Sequence, residues 1–324
     1  MRENVLVTGG AGFIGSHVVD RLVNGGYGVR VIDNLSTGKL SNIENHIDSG
    51  RIDFVKGDIR DAQLVKDCVR NVSAVVHLAA ITSVPFSVET PDLTYATNIT
   101  GTLNLLISCA EKKVGKFVFI SSCAVYGEPE YLPVDEKHLT EPVSPYAASK
   151  LVAEHFCLGF HEKQLLKSVV LRLFNVYGPR QGINDYSGVI TRFIDRCKQG
   201  LPLVVYGDGS QTRDFVNVCD VVEAVLSAME NKAAEGEVFN IGFGEPVSIR
   251  GLAEAFLELA GLNLEVINEE PRLGDIKHSY ADISKAEKFL GYGPKVSLRD
   301  GLRILLAGNV LSAKVISETN KVEA

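Results

Sequence analysis

The sequence predicts an α/β fold in which a doubly wound parallel sheet is joined to a smaller α/β domain. Two observations carry this prediction. Short apolar runs alternate with longer helical patterns through the first half of the chain, an order typical of parallel strands linked by crossover helices. A glycine-rich turn also separates the first apolar run from the first helical pattern, as in the phosphate-binding turn of doubly wound sheets.

The elements of this fold follow one another along the chain. The predicted strands are apolar runs at 5–7, 29–32, 53–55, 74–78, 117–120 and 169–173. The predicted helices have apolar residues at helical spacing and lie at 16–23, 61–69, 92–112, 145–165, 189–199, 219–230 and 249–260. After Phe174 the loops are longer and richer in glycine and proline. We expect a sheet domain over 1–175, with returning segments near 214–241, and a substrate domain over 176–324.

The turn after the first strand contains Gly9, Gly12 and Gly15. These glycines let the backbone turn tightly and let a pyrophosphate approach the helix N-terminus, where unpaired N–H groups favour negative charge. Asp33 ends the second strand about 20 residues further on, where an acid accepts hydrogen bonds from both ribose hydroxyls. Because its carboxylate would repel a 2′-phosphate, the sequence favours NAD over NADP.

Two further strand ends carry candidate cofactor contacts. Asp58 and Ile59 follow the third strand, where an acid can accept from an adenine amino group and an apolar side chain can pack on the ring. An ordinary loop aspartate is an equal alternative there. Leu78, Ala79 and Ala80 close the fourth strand, and small residues at that point suit either close approach of a cofactor or a tight strand end.

Tyr146 and Lys150 form the strongest functional pattern in the chain. They are four residues apart in a predicted helix and therefore share one face. An ammonium near a phenol favours the phenolate and lowers the tyrosine pKa, which makes the phenol usable as a base near neutrality. Ser122 follows the fifth strand, where an active-site hydroxyl belongs in such a sheet. These three residues are the predicted catalytic set.

Charge and composition limit the classes of function. The 324 residues carry a formal net charge of −7, so no nucleic-acid partner is expected. No apolar run is long enough for a membrane span and no signal peptide is visible, so we expect no membrane partner and a cytoplasmic location. The six cysteines are scattered without a Cys-x-x-Cys pair, which predicts reduced thiols and no metal site.

Together these motifs resemble the extended short-chain dehydrogenases/reductases, in the nucleotide-sugar branch that contains the UDP-glucose (UDP-galactose) 4-epimerases. The resemblance covers nearly the whole chain and implies tightly bound NAD, with Ser122, Tyr146 and Lys150 as catalytic residues. The residues that it assigns to the cofactor site, together with Tyr146 and Lys150, are Gly9, Gly12, Phe13, Ile14, Gly15, Asp33, Asn34, Ser36, Thr37, Gly38, Asp58, Ile59, Leu78, Ala79, Ala80, Thr82, Asn98 and Phe174.

The resemblance also implies a UDP-sugar site. Arg213 and Arg272 lie in segments that resemble the arginine-bearing loops of the family, and a guanidinium fork suits a diphosphate. Val204 and Tyr206 match positions beside the uracil, although such residues are also common in cores. The full set of implied substrate contacts is Ser122, Tyr146, Asn175, Val189, Val204, Tyr206, Arg213, Arg272, Asp275 and Ser279.

The two residues after Ser122 limit which type of reaction the resemblance implies. Sugar-nucleotide dehydratases of this fold carry an Asp-Glu pair where this chain has Cys123 and Ala124, and UDP-glucuronate decarboxylases carry a glutamate in place of Ala124. The resemblance therefore implies 4-epimerisation of UDP-hexoses through a 4-keto intermediate, with hydride transfer to and from bound NAD. A UDP-glucuronate 4-epimerase or decarboxylase is the alternative, and a non-catalytic nucleotide-binding protein is a more distant one.

One residue bears on the size of sugar that the site accepts, and two helices bear on whether the chain forms a dimer. Ser279 aligns with a bulky tyrosine of the most restricted epimerases, and a small residue there leaves room for a 2-acetamido group. We therefore expect activity on UDP-GlcNAc and UDP-GalNAc as well as on UDP-glucose and UDP-galactose. The two long amphipathic helices at 92–112 and 145–165 pack on the sheet or form a dimer interface, and the resemblance implies a homodimer.

Overall fold

The computed structural model describes residues 4–182, 188–271 and 276–308. Within these residues the strands are β1 (Asn4–Thr8), β2 (Gly28–Asp33), β3 (Ile52–Lys56), β4 (Ala74–His77), β5 (Lys116–Ser122), β6 (Ser168–Leu173), β7 (Asn175–Tyr177), β8 (Leu203–Tyr206), β9 (Thr212–Arg213), β10 (Phe215–Asn217), β11 (Val238–Ile241), β12 (Val247–Ser248) and β13 (Val266–Glu269). All six strands predicted from the sequence are present, within three residues at each end.

Seven strands form one sheet in the order β11-β6-β5-β4-β1-β2-β3, and every neighbouring pair is parallel. The chain runs outward from β1 to β3, then crosses over to β4 and runs outward on the other side. The strand order therefore reverses between β1 and β4, and ligands of such sheets bind at the carboxyl ends beside that reversal. The predicted doubly wound parallel sheet is confirmed.

The helices cover both faces of the sheet and build the second half. They are α1 (Phe13–Asn24), α2 (Glu44–Asp48), α3 (Ala62–Cys68), α4 (Val84–Glu89), α5 (Pro91–Tyr95), α6 (Thr102–Lys112), α7 (Pro145–Glu162), α8 (Val189–Lys198), α9 (Val218–Glu230), α10 (Ile249–Ala260), α11 (Ser284–Leu290) and α12 (Leu298–Gly308). Throughout the described ranges, no helix combines the length and the apolar character that crossing a bilayer requires.

The predicted helix at 92–112 differs from expectation in one respect. It consists of α5 and α6 joined by a π-helical turn at Ala96–Gly101. A π turn holds one residue more than an α turn and is often found at functional sites. The sequence pattern could not reveal it, because apolar spacing on both sides of the turn still fits a helix.

Alternation along the strands divides the main core into two layers. Val5 and Val7 of β1 face α1 and α9, while Leu6 between them faces α3, α6 and α7. Side chains of successive strand residues point to opposite faces, so a fully apolar strand serves both layers. This explains why the predicted strands are continuous apolar runs and not alternating ones.

A third core lies in the second half of the chain. It packs α8, α10 and α12 around β8, with Phe193, Phe256 and Leu302 fully or nearly fully buried. Short strand pairs β9–β12 and β8–β13 belong to this region and were not predicted. Strand β11 returns to the edge of the main sheet beside β6. The division into domains 1–175 and 176–324 stays a prediction.

Asp214 ties three separate segments of the chain together. Its carboxylate is fully buried and accepts hydrogen bonds from the backbone N–H groups of Phe243 (2.6 Å), Gly244 (3.0 Å) and Ala281 (3.1 Å). Burial raises the pKa of Asp214, and the three hydrogen bonds oppose that shift. The residue therefore fixes the loop between β9 and β10 against the chain that follows β11 and precedes α11.

We expect Asp214→Ala to lower the free energy of unfolding by about 3 kcal/mol, because it leaves three buried or half-buried N–H groups without their acceptor. Urea denaturation followed by circular dichroism measures this. Asp208→Ala is the matched control, since Asp208 is exposed and its carboxylate accepts from Ser210 within its own turn. Equal stabilities of the two variants would contradict the role assigned to Asp214.

Candidate active site

The glycine-rich turn lies at the carboxyl end of β1 and is sterically closed to side chains. Gly9 has a φ of +71°, and a Cβ on it would lie 2.8 Å from the Ala79 nitrogen. A Cβ on Gly15 would lie 2.1 Å from the Gly9 carbonyl oxygen. α1 begins at Phe13, and Gly12 before it provides no side-chain cap. The N–H groups of the first turn are thus open to an anionic group.

Asp33 ends β2 beside this turn, as the sequence predicts. It is 7% exposed and accepts hydrogen bonds from the backbone N–H groups of Ala11 (3.0 Å) and Leu35 (2.8 Å). Burial raises the pKa of Asp33, and the two hydrogen bonds oppose that shift. Gly38 keeps space beside the carboxylate, because a Cβ there would lie 3.0 Å from both of its oxygens. The carboxylate is held in one orientation and has room for a hydroxyl ligand.

Asp58 is oriented by a residue that sequence reasoning missed. The Arg60 guanidinium donates to both carboxylate oxygens at 2.8 and 2.9 Å, and the Asn34 amide donates at 2.9 Å. Arg60 holds the pKa of Asp58 well below its usual range. Ile59 is buried and packs on Gly101, where a Cβ would lie 2.6 Å from the Ile59 Cδ1. Arg60 could be assigned only through these contacts, because no pattern distinguishes it.

A buried chain of hydrogen bonds runs beneath the end of β4. The Thr8 hydroxyl accepts from the Leu78 and Ala79 N–H groups, so its proton goes to His77 Nδ1 at 2.7 Å. The Thr102 hydroxyl donates to the Asn98 carbonyl at 2.6 Å and therefore accepts from His77 Nε2 at 2.8 Å. Burial, with Lys150 nearby, lowers the pKa of His77 well below its usual value. His77 is accordingly neutral, with its proton on Nε2.

Asn98 lies in the π turn and points into the protein. Its side-chain oxygen accepts from the Ile81 N–H at 2.8 Å, and its amide donates to the Ile81 carbonyl at 2.9 Å and to the Ser149 hydroxyl at 2.9 Å. Asn98 therefore joins the loop after β4 to Ser149 of α7, the residue that precedes Lys150. The resemblance assigned Asn98 to the cofactor site, and in the structure its side chain links Ile81 to Ser149.

Ser122 and Tyr146 meet at the carboxyl edge of the sheet. The Ser122 side chain lies near the Tyr146 hydroxyl and acts against the rise in its pKa, and the Ser122 hydroxyl accepts from the Ala124 N–H at 3.2 Å. Tyr146 lies in the first turn of α7, which Ser144 caps by accepting from the Ala147 N–H. Two elements that are distant in sequence therefore bring the predicted phenol and hydroxyl close together.

The pKa of Tyr146 differs from the sequence expectation. Burial raises it to about 12, and Ser122 acts in the opposite direction. The predicted net lowering of this pKa is therefore wrong for the polypeptide by itself. The physical reason is desolvation: the side chain is only 8% exposed, and removing a phenolate from water outweighs the neighbouring interactions.

Lys150 is four residues further along α7 and is buried at 4% exposure. Its ammonium lies 4.5 Å from the centroid of the Phe119 ring, a cation–π contact that partly replaces lost hydration. Burial lowers the pKa of Lys150 to about 8, and Glu154 and then Cys157 oppose that shift. The site thus holds an ammonium whose protonation changes near neutral pH.

Cys123 lies between Ser122, a predicted catalytic residue, and the second half of the chain. Its thiol is near enough to Ser122, Asp214 and Arg213 for all three to influence its pKa. Burial raises the pKa of this thiol to about 12, so Cys123 is uncharged at neutral pH. The two residues after Ser122, Cys123 and Ala124, therefore offer no carboxyl group. Arg213 lies near Cys123 and thus near the predicted catalytic residues.

The remaining predicted substrate residues are placed as follows. Asn175 begins β7, where its N–H donates to the Asp214 carbonyl at 2.9 Å, and Val189 begins α8. Val204 and Tyr206 are half-buried on β8 and, two residues apart, point to one face. Ser279 is buried, and its N–H donates to the Thr212 carbonyl beside Arg213. Arg272 and Asp275 lie outside the described residues.

The remaining predicted cofactor residues differ in burial. Phe174 follows β6 and is buried with Val125 and Val134, so it contributes an apolar wall. The half-buried or exposed members of the set are Phe13, Ile14, Asn34, Ser36, Thr37, Leu78, Ala79, Ala80 and Thr82.

Comparison with known proteins assigns the family. The sequence model of the NAD-dependent epimerase/dehydratase family matches residues 5–242. A relative named a putative UDP-glucose 4-epimerase of Methanocaldococcus jannaschii is 42% identical over 301 residues, which are 92% of this chain and 96% of that protein. The protein belongs to this family. The resemblance to the extended short-chain dehydrogenases/reductases is therefore confirmed.

Solved structures of family members agree with the fold. UDP-glucose 4-epimerase from Thermotoga maritima with UDP-glucose is 41% identical with a TM-score of 0.89, covering 94% of this chain and 97% of that one. The Thermus thermophilus enzyme in complex with NAD is 40% identical with a TM-score of 0.87, covering 95% and 99%. A UDP-N-acetylglucosamine 4-epimerase from Methanobrevibacter ruminantium is 38% identical with a TM-score of 0.91, covering 95% and 98%. These family members differ in the sugar that their names carry.

NAD is the cofactor of this family, and the residues of this chain fit it. The turn around Gly9 and Gly15 packs so closely on neighbouring backbone that only glycine fits, and it leaves the first N–H groups of α1 without a side-chain cap, where a phosphate can bind. Asp33 presents an oriented carboxylate at the distance along the chain that suits a ribose diol. The prediction of NAD is confirmed.

We expect Gly15→Ala to reduce dinucleotide retention at least about tenfold, because its methyl group would overlap the Gly9 carbonyl and displace the phosphate-binding turn. The NAD content of purified, desalted protein measures this. Gly159→Ala is the control, since a Cβ there meets nothing within 4 Å and helix propensity favours alanine. A folded Gly15→Ala protein with full NAD content would refute the assignment of this turn.

Proposed function

We propose that this protein is an NAD-dependent UDP-hexose 4-epimerase that interconverts UDP-glucose and UDP-galactose and also accepts the 2-acetamido sugars. One observation carries the reaction type. Ser122 and Tyr146 lie close together at the carboxyl edge of the sheet, and the two residues that follow Ser122 are Cys123 and Ala124. A catalytic hydroxyl pair without a neighbouring carboxyl group supports oxidation and reduction at C4 and gives no acid for elimination.

Each catalytic residue has a distinct role in the proposed reaction. Tyr146 takes the proton of the C4 hydroxyl, and Ser122, near the phenol, bridges the two oxygens. Because burial raises the pKa of Tyr146 to about 12, the phenolate needs nearby positive charge, which Lys150 supplies from the next helical turn. Bound NAD supplies a hydride acceptor and donor in a cycle without net redox change.

In the proposed reaction, the predicted substrate-binding residues hold the UDP group while the sugar turns. Arg213, near Cys123, would bind the diphosphate, together with Arg272. Val204 and Tyr206 would contact the uracil, and Asn175, Val189, Asp275 and Ser279 would line the sugar nucleotide. Turning about a fixed diphosphate lets the hydride return to the opposite face of C4, which is what inverts the configuration.

Incubation of the purified protein with UDP-galactose and no added cofactor tests the function directly. UDP-glucose should form with no stoichiometric loss of NAD, because the hydride taken from C4 is returned. Parallel incubation with UDP-glucuronate separates the nearest alternative: release of CO₂ indicates a decarboxylase, and UDP-galacturonate indicates a glucuronate 4-epimerase. Binding of nucleotide without any product would indicate a non-catalytic protein.

We expect Tyr146→Phe to lower kcat for UDP-galactose by about 100-fold or more, because it removes the base while leaving the ring in place. Affinity for UDP should remain unchanged, as measured by calorimetry. Tyr131→Phe is the matched control, since the Tyr131 hydroxyl is exposed and donates only to Asp135. Undiminished turnover by the Tyr146 variant would remove this residue from its role.

Substrate range depends on Ser279 in this proposal. Ser279 is 8% exposed and lies on the segment that pairs with Thr212 beside Arg213. We expect wild-type turnover of both UDP-glucose/galactose and UDP-GlcNAc/GalNAc. Ser279→Tyr should lower turnover of the acetamido pair at least about tenfold more than that of the other pair, because the ring fills the space for the acetamido group.

A comparison of initial rates on all four sugars measures this preference. Ser279→Ala serves as the control, since it removes the hydroxyl without adding volume and should keep all four activities. Strict rejection of the acetamido pair by the wild-type protein would contradict the proposed range.

We also propose a homodimer through the helices at 92–112 and 145–165. The described parts of these helices leave Leu93, Tyr95, Ile107 and Val152 exposed, and an apolar helix face of this kind suits a second copy of the chain. Light scattering at several protein concentrations measures the mass in solution.

A further inference from the structure

One face of α7 carries three buried ionisable side chains at four-residue spacing. Tyr146, Lys150 and Glu154 are 8%, 4% and 1% exposed, and residues four apart on a helix lie one above the other. The first two belong to the proposed reaction. Glu154 has no role in it so far, although it lies one helical turn below the ammonium.

Glu154 is fixed by partners on two strands. Arg172 of β6 donates from Nε to Oε1 at 3.0 Å and from Nη2 to Oε2 at 2.6 Å. The Ser121 hydroxyl on β5 donates to Oε1 as well. The Arg172 guanidinium also lies 4.7 Å from the centroid of the Tyr126 ring. Two parallel hydrogen bonds of this kind are typical of a guanidinium with an ionised carboxylate. The negative charge of Glu154 therefore has a fixed position.

Stability alone does not account for this ion pair. Burying two charges costs desolvation energy, and an apolar pair of similar volume is often equally stable or more so. The pair lies next to the one ammonium that the proposed chemistry needs. A retained buried charge beside a catalytic group points to control of that group.

The other ionisable groups around Lys150 are uncharged at neutral pH. His77 on β4 is neutral, because burial and Lys150 lower its pKa. Cys157 on α7 and Cys109 on α6 are thiols whose pKa values burial raises. Tyr146 is a phenol whose pKa is also raised by burial. Among the groups described around the ammonium, Glu154 provides the negative charge.

We propose that Glu154 is a positioning residue that keeps Lys150 protonated, with Arg172 and Ser121 holding its carboxylate in place. The proposal rests on the proposed function, because it explains how that reaction retains a buried ammonium. Lys150 in turn provides the positive charge that favours the Tyr146 phenolate. Glu154 therefore acts on the reaction through Lys150 without contacting the substrate.

The sign of the pH effect follows from the buried lysine. Burial lowers the pKa of Lys150 to about 8, and Glu154 acts against that shift. Activity that needs the ammonium falls as pH rises through the lysine pKa. Removing the carboxylate lowers this pKa further, so activity should be lost at a lower pH than in the wild-type protein.

The test is the pH profile of kcat for UDP-galactose in the NAD-loaded protein. Glu154→Gln should move the alkaline limb toward acid by about one pH unit or more. Glu154→Asp retains the charge and should leave the limb near its wild-type position. Because Glu154→Gln strands a buried guanidinium, the double variant Glu154→Gln/Arg172→Met is measured as well. It should shift the limb in the same direction but by less, since the Arg172 charge is removed too.

Two comparisons make the result specific. Glu223→Gln removes a carboxylate from an exposed ion pair with Arg21 and should leave the profile unchanged. Retention of NAD on desalting across the same pH series provides a readout without turnover, and its alkaline loss should shift in the same direction, since Lys150 is assigned to the cofactor site.

A folded Glu154→Gln or double variant with an unmoved alkaline limb would overturn the proposal. An inactive wild-type protein would instead overturn the proposed function, so the two failures are distinguishable. A shift in the glutamine and double variants, with a normal limb in the aspartate variant, supports control of the lysine proton by Glu154.

Discussion

The arrangement of the site depends on one constraint, the burial of the Lys150 ammonium. A cation removed from water needs compensation from its surroundings, and the neighbouring groups supply it in different ways. The Phe119 ring faces the ammonium, His77 stays neutral because burial and then Lys150 lower its pKa, and Glu154 provides opposite charge. His77, in the hydrogen-bonded chain beneath β4, thus adds no second positive charge near the ammonium.

The two halves of the chain meet around Asp214. The same segment carries Arg213 and the buried carboxylate that binds the backbone after β11 and before α11. Cys123, next to the catalytic serine, lies within electrostatic range of both. Arg213, which is proposed to hold the diphosphate, is therefore fixed at the sheet edge by the backbone contacts of its neighbour Asp214. Its position relative to Ser122 and Tyr146 is fixed as well.

Sequence reasoning recovered the sheet because the constraints on it are local. Buried parallel strands must be apolar on both faces, and the turn around Gly9 and Gly15 admits only glycine, so both leave a pattern in the sequence. The proximity of Ser122 to Tyr146 was also expected, since Ser122 ends β5 and Tyr146 lies at the start of the helix that follows β5, at the same edge of the sheet. What failed was the pKa of Tyr146, because desolvation depends on packing from several distant elements. Glu154 was missed for a related reason: its partners Ser121 and Arg172 are known only once the strands are in place. Arg60 was missed although its partner Asp58 is two residues away, because no sequence pattern distinguishes it from other loop arginines.

The π turn at Ala96–Gly101 has a consequence for changes in chain length. It is flanked by α5 and α6, and α6 buries Leu105, Leu106 and Cys109 against the sheet. Each residue in a helix advances the direction of the side chains by about 100°. Because the π turn already holds one residue more than an α turn, loss of a single residue converts it to an α turn and leaves the apolar face of α6 on the sheet, whereas an inserted residue rotates that face away. This segment should therefore resist insertions more strongly than a one-residue deletion.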